Sequence, residues 1–208
     1  MLQSRVDPWG RLHAVANRGT LMGNRGILHD DANQIIRPWA HKGWVTCALT
    51  YKTIKRDKPF SVGHYSELFF LDEATAFAAG HRPCATCRRT RYDLFKEAWC
   101  RANSRGTAPR GIAVSDIDKA LHLERSIPGG GKQTYQTATS DLPVGVMVEW
   151  QGAPYLRDLH GWLPWSFSGY GRPVQINFEA FVDVLTPRSV VNAFRAGFVP
   201  EVHASASG

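Results

Sequence analysis

The chain has 208 residues, of which 43% are hydrophobic, enough to bury a core in one domain or two small closely packed ones, so disorder is not the default reading. Its 25 Lys and Arg against 18 Asp and Glu give a formal charge of +7, which favours a polyanionic partner. No stretch reaches the ~20 consecutive apolar residues of a membrane helix, and the polar start MLQSRVDPWG lacks the apolar run of a secretion signal, so a cytoplasmic location is expected.

Residues 1 to 30 carry two Gly-punctuated segments around Asn-Arg-Gly corners, at Asn17–Gly19 and Asn24–Gly26, which predict short strands or turns. The arginine of each corner has a fork able to reach phosphate, although turn chemistry alone explains both. WVTCALTYKTIK alternates Trp44, Thr46 and Ala48 with Val45, Cys47 and Leu49 and reads as a strand with apolar groups on both faces. Residues 55 to 66 read as a charged loop and YSELFFL as a short strand. In the segment after it, Asp72 is placed to cap a short Ala-rich helix and Gly80 to supply the left-handed residue that ends it. A longer amphipathic helix is expected from about Arg88 to Ala102, with Tyr92, Phe95 and Trp99 on its buried face and Cys100 as a small buried hydrophobe.

NSRGTAPRG then reads as a linker, and SDIDKALHLERS as a helix capped by Ser115. IPGGGKQTYQTATSD is Gly- and Thr-rich; it lacks the Gly spacing and the Ser or Thr after Lys of a phosphate-cradling P-loop, so it reads as a connector and no nucleotide cofactor is expected. From Leu142 the runs VGVMVEW, APYLRD, GWLPWS, VQINF and FVDVLT predict a small antiparallel sheet or barrel. Thr186-Pro187 opens a last helix that ends at Gly197, and EVHASASG reads as a frayed tail. The expected fold class is α+β: an N-terminal region of short strands and helices over 1–105, a helix and connector over 106–140, and a β-rich unit with a C-terminal helix over 141–208.

Cys84-Ala-Thr-Cys87 puts two thiols at a helix start, where amides favour the thiolate form and the turn lets both sulfurs reach one ion. A redox dithiol would follow a strand in a βαβ setting, whereas here a helix and the Gly80–Pro83 turn come first. Over residues 68–89 the run LFFLDEATAFAAGHRPCATCRR resembles the second half of the zinc-binding domain of Ada-type DNA alkylation-repair proteins: a short helix ending in Ala-Ala-Gly, an Arg-Pro turn and then Cys-x-x-Cys. His81 stands where that family has Tyr or Phe. The resemblance implies a zinc site, to which His29 in GILH and Cys47 would add the remaining ligands, giving Cys₃His; His41 and His64 compete with His29. It also implies DNA as the partner, with Arg82, Arg88, Arg89 and Arg91 as basic residues around the knuckle suited to phosphate. The family's paired upstream ligands are missing here, so the expected zinc is structural and methyl transfer to a cysteine is not carried over.

Two further constellations bear on function. His122, Glu124 and Arg125 share a helix and offer acid, base and phosphate-holding groups for a DNA-acting enzyme, a nuclease or a lesion-processing activity; the His-x-Glu order relative to Pro-Cys-x-x-Cys is the reverse of that in zinc deaminases. In GWLPWSFSGYGRP, Trp165 and Tyr170 beside Arg172 could stack on unpaired bases. The leading expectation is a zinc-containing DNA-binding protein of repair or regulation. The alternatives are the enzyme just described and a protein-interaction module stapled by zinc.

Overall fold

The computed structural model describes residues 1–52, 58–104 and 111–207. The expected loop over 55–66 and linker over 103–111 fall partly outside the described residues. Among the described residues two six-stranded sheets and four α-helices make an α+β fold. The first sheet has the order β2-β1-β5-β3-β4-β6, with β1 at Arg5–Val6, β2 at Leu12–His13, β3 at Leu21–Asn24, β4 at Val45–Ala48, β5 at Leu68–Phe70 and β6 at Arg82–Pro83. Its β1–β5 and β4–β6 pairs are parallel and the others antiparallel. The second sheet is antiparallel throughout and open, with edges at β11 and β7 in the order β11-β10-β9-β8-β12-β7. Its strands are β7 at Tyr135–Ala138, β8 at Met147–Trp150, β9 at Ala153–Asp158, β10 at Gly161–Ser166, β11 at Gly169–Tyr170 and β12 at Phe181–Val184.

Helix α1, Glu73–Ala78, is buried on every side. Phe77 joins a core with Phe95, Trp99, Val148 and Phe194, while Ala74 and Ala78 meet Met147, Leu156 and Leu163 of the second sheet. Ala76 and Ala79 face Leu68 and Phe70 of the first, together with Leu28 from the loop after β3. A helix wedged between two sheets needs small side chains so that both can approach, which is why this one is rich in alanine.

The ends of α1 form as the sequence requires. The Asp72 carboxylate accepts from the Thr75 amide at 2.8 Å, satisfying one of the free donors of the first turn. At the other end Gly80 has φ +86°, its amide donates to Phe77 and that of His81 to Ala76, the paired bonds that close a helix on a left-handed residue.

Asp72 and Glu73 also tie α1 to distant segments. Tyr170 Oη and the amide of His203 both donate to Asp72, at 2.8 and 2.9 Å. The fully buried Glu73 carboxylate pairs with Arg88 at 2.9 Å and with Arg91, and accepts the Glu201 amide at 2.9 Å. Arg88 and Arg91 lie at the start of α2, Arg89–Asn103, so this carboxylate fixes the second helix on the first. The tail expected to fray is therefore anchored, and it ends in a short 3-10 turn over Ala204–Ser207.

Three other expectations need revision. Helix α3 spans Val114–Arg125 with Ala113 at its cap and no side-chain cap bond, so Ser115 lies inside the first turn. The Gly-rich connector contains edge strand β7, paired over four residues with β12; the neighbouring glycines obscure it in sequence. VQINF is not a strand: Val174 makes only an isolated bridge to Trp162, the Phe178 carbonyl accepts from the Ser140 amide at 3.0 Å, and the Thr139 hydroxyl lies 2.7 Å from the Asn177 carbonyl. The last helix, α4 at Arg188–Arg195, forms as expected, with Pro187 just before it and Gly197 at positive φ after it.

Gly80→Ala should destabilise the fold by about 1–3 kcal/mol from backbone strain alone, and more because an added Cβ would lie 2.4 Å from Arg125 Cδ; urea denaturation measures this. Arg88→Ala should destabilise the fold by about 1–3 kcal/mol, because the buried Glu73 carboxylate loses one of its two guanidinium partners and keeps Arg91, whereas Arg89→Ala, at an exposed pair with Asp93, should leave stability unchanged.

Candidate metal centre

The parallel pairing of β4 with β6 sets Val45 opposite Arg82 and Thr46 opposite Pro83, and the Cys84 amide donates to the Thr46 carbonyl at 2.9 Å. The next residue of each segment is thereby Cys47 beside Cys84. After Cys84 the chain turns at once, with the Arg88 amide donating to the Cys84 carbonyl at 3.2 Å, and this turn returns Cys87 to the same point. The three sulfurs lie within 4.8 Å of one another, the only such grouping of Cys, His, Asp and Glu ligand atoms among the described residues.

The three thiols act strongly on one another. A hydrogen bond from Cys47 holds the Cys84 thiol down to about 4, with help from the amides of Cys87 and Thr86; the Thr86 amide is 3.4 Å from Cys84 Sγ. The same contact with Cys84 pushes the Cys47 thiol upward, and burial raises that of Cys87. Three sulfurs competing for protons at this spacing fit a cation. Tetrahedral zinc with Zn–S near 2.3 Å sets its sulfurs roughly 3.8 Å apart.

The cysteines line one side of a cleft of about 750 Å³ whose other walls include Met22, Leu49, Tyr51, Tyr65 and Phe69. Cys100 is buried and outside it, as a small core residue. His29 does not join the sulfurs: its ring stacks on Phe60 with centroids 4.7 Å apart and its Nδ1 is 2.6 Å from Ser66 Oγ. GILH supplies no regular strand, only a bridge from His29 to Ile35.

The arginines expected to face phosphate are largely turned inward. Arg82 is buried and makes a two-pronged pair with Asp118 at 2.7 and 2.8 Å. Arg88 and Arg91 are held by Glu73 and Glu201, leaving Arg89 as the exposed member, paired with Asp93. Tyr170 is buried with its hydroxyl on Asp72. Trp165 is half-buried and donates to Thr75 Oγ1 at 3.0 Å, its ring against Phe167. Arg172 is exposed.

His122, Glu124 and Arg125 do not converge. Glu124 accepts from the Ser189 amide and hydroxyl at 3.0 and 2.6 Å, satisfying the first turn of α4, and His122 packs edge-on against Trp39. Arg125 is buried and donates to the Gly80 and Lys42 carbonyls at 2.7 and 2.5 Å. Sequence reasoning missed this residue's true neighbours, Arg25, Trp44 and Lys132, because they come from three separate segments. Among the described residues no helix is long and apolar enough to cross a membrane. Comparison with family models, curated proteins and solved structures finds no match to this chain.

Proposed function

We propose that this chain is a zinc protein in which Cys47, Cys84 and Cys87 supply three thiolates and the cleft beside them supplies the fourth ligand, water or a bound molecule. The observation that carries this reading is the convergence of three sulfurs from two segments held by the β4–β6 pairing. Thiolates select soft or borderline ions, and three protein ligands with one exchangeable position are a common arrangement where zinc acts on a ligand as well as on the fold. When bound, zinc would polarise a donor atom placed in the cleft. The chain's own contribution is to hold three sulfurs on a rigid strand pair and to line the approach with apolar side chains.

Nucleic acid, DNA foremost, is the partner class that we assign to the protein, on the strength of its +7 charge. With Arg82, Arg88 and Arg91 committed to internal carboxylates, phosphate contacts fall to exposed arginines such as Arg18, Arg37, Arg89 and Arg172. An enzyme centred on His122 and Glu124 draws less support, since Glu124 is engaged as a cap on α4.

Purified protein should carry one zinc per chain by elemental analysis, and cobalt substitution should give the intense visible bands of a tetrahedral thiolate site. Cys47→Ser, Cys84→Ser and Cys87→Ser should each lose metal, while Cys100→Ser and His29→Ala should retain it; loss in the folded His29→Ala protein would restore that histidine as a ligand. Duplex DNA binding should weaken with salt by about 0.9 log unit per phosphate contact for each decade of salt. Absence of binding at low salt would remove DNA as the partner while leaving the metal site standing.

A further inference from the structure

A second cleft, of about 530 Å³, lies at residues from the N-terminal segment, the loop around Pro38 and the Gly-rich connector, and it is lined by Arg25, Arg125, Lys132, Trp9 and Trp39 among others. Its floor is unusual in charge. Arg25 and Arg125 are each 2% exposed, and both guanidinium groups lie on the Trp44 ring, at 4.2 and 3.9 Å from its centroid. Lys132, from the GGGK run, donates to the Ala78 carbonyl.

Among the described residues no carboxylate pairs with any of these three cations. Asp7, whose charge acts on Arg25 and Lys132, is bonded to His13 at 2.8 Å, and Asp118, whose charge acts on Arg125, is occupied by Arg82. Arg25 bonds through Nε to His81 at 3.1 Å and through Nη1 to the Gly10 carbonyl at 3.0 Å, but its Nη2 has no partner, nor has Nε of Arg125. Burial, reinforced for Arg125 and Lys132 by the neighbouring cations, brings both arginines down to about 9 and the lysine to about 7. Buried cations that repel one another and keep unused donors are costly to hold without a counter-charge.

The cleft walls narrow what that counter-charge belongs to. Trp9 and Trp39 are half-buried, each presenting part of an indole to the opening, with the exposed Arg11 over the Trp9 ring and Arg37 at the rim. The volume is within the roughly 300–1,000 Å³ of small-ligand sites. An oxyanion would use the guanidinium and ammonium donors, and a flat ring would stack on indole.

We propose that this cleft binds a nucleotide, its phosphate against Arg25, Arg125 and Lys132 and its base against Trp9 or Trp39, presented free or as an unpaired residue of a strand. Lys132 thus serves phosphate although its loop is no P-loop. The site is separate from the thiol cluster and does not rest on metal binding or on duplex DNA binding.

The test uses the full chain, with tryptophan fluorescence and thermal unfolding as readouts, and with AMP, inorganic phosphate, adenosine and a short oligothymidine strand as probes. AMP or the strand should saturate the fluorescence change and raise the unfolding temperature, since a ligand bound only to the native state stabilises it. Adenosine, without the phosphate, should bind at least about ten-fold more weakly than AMP. Lys132→Met should weaken AMP or strand binding by about ten-fold, and Trp39→Leu should weaken them while leaving inorganic phosphate unchanged. Saturation by AMP alone identifies a free nucleotide as the source; saturation by the strand, displacing AMP, identifies nucleic acid. The proposal is overturned if neither binds at millimolar concentration, if phosphate alone binds as well as AMP, or if both folded variants bind as the wild type does.

Discussion

The buried acidic pair at the start of α1 is the constraint on which the rest of the molecule hangs. Asp72 caps the helix and holds Tyr170 and the tail; Glu73 holds Arg88 and Arg91 of α2. With both ends of α1 fixed, the Gly80 turn leaves the helix in one direction, and β6 is delivered alongside β4. The three cysteines meet as a result of that delivery. Position at the thiol site thus depends on carboxylates in the neighbouring core as well as on the β4–β6 pairing.

What could be read from the sequence was local. The cap at Asp72, the Gly80 turn, the buried face of α2 through Tyr92, Phe95 and Trp99, and the paired thiols Cys84 and Cys87 all depend on neighbours within a few residues, and each follows from side-chain chemistry. Cys47 was reachable as the remaining upstream thiol, but its role depends on a parallel pairing with a two-residue strand, for which no pattern exists in so short a segment. Arg82, Arg88 and Arg91 look like a basic cluster because their carboxylates, Asp118, Glu73 and Glu201, are distant in sequence or hidden by an adjacent helix cap. A run of like charges in a sequence therefore says little until the counter-charges have been located.

The same reasoning in reverse applies to Arg25, Arg125 and Lys132. They sit in an Asn-Arg-Gly corner, at a helix end and after a glycine run, and each has an unremarkable local explanation. Only the fold collects them around Trp44, and only there does the shortage of acidic partners become visible. Charge that is scattered in sequence and concentrated in space is a different object from charge that is concentrated in sequence and paired in space, and this chain contains both.

The contact between Glu73 and Glu201 spans 128 residues. A ribosome must release the segment beyond Pro200 before either member of the acidic pair receives its last hydrogen bonds. Until then α1 would present two carboxylates and an incomplete set of partners in the middle of an otherwise apolar wedge. The first sheet can collapse early, but its junction with the second is sealed late, so folding of this chain is expected to finish after synthesis of the junction and not progressively along it.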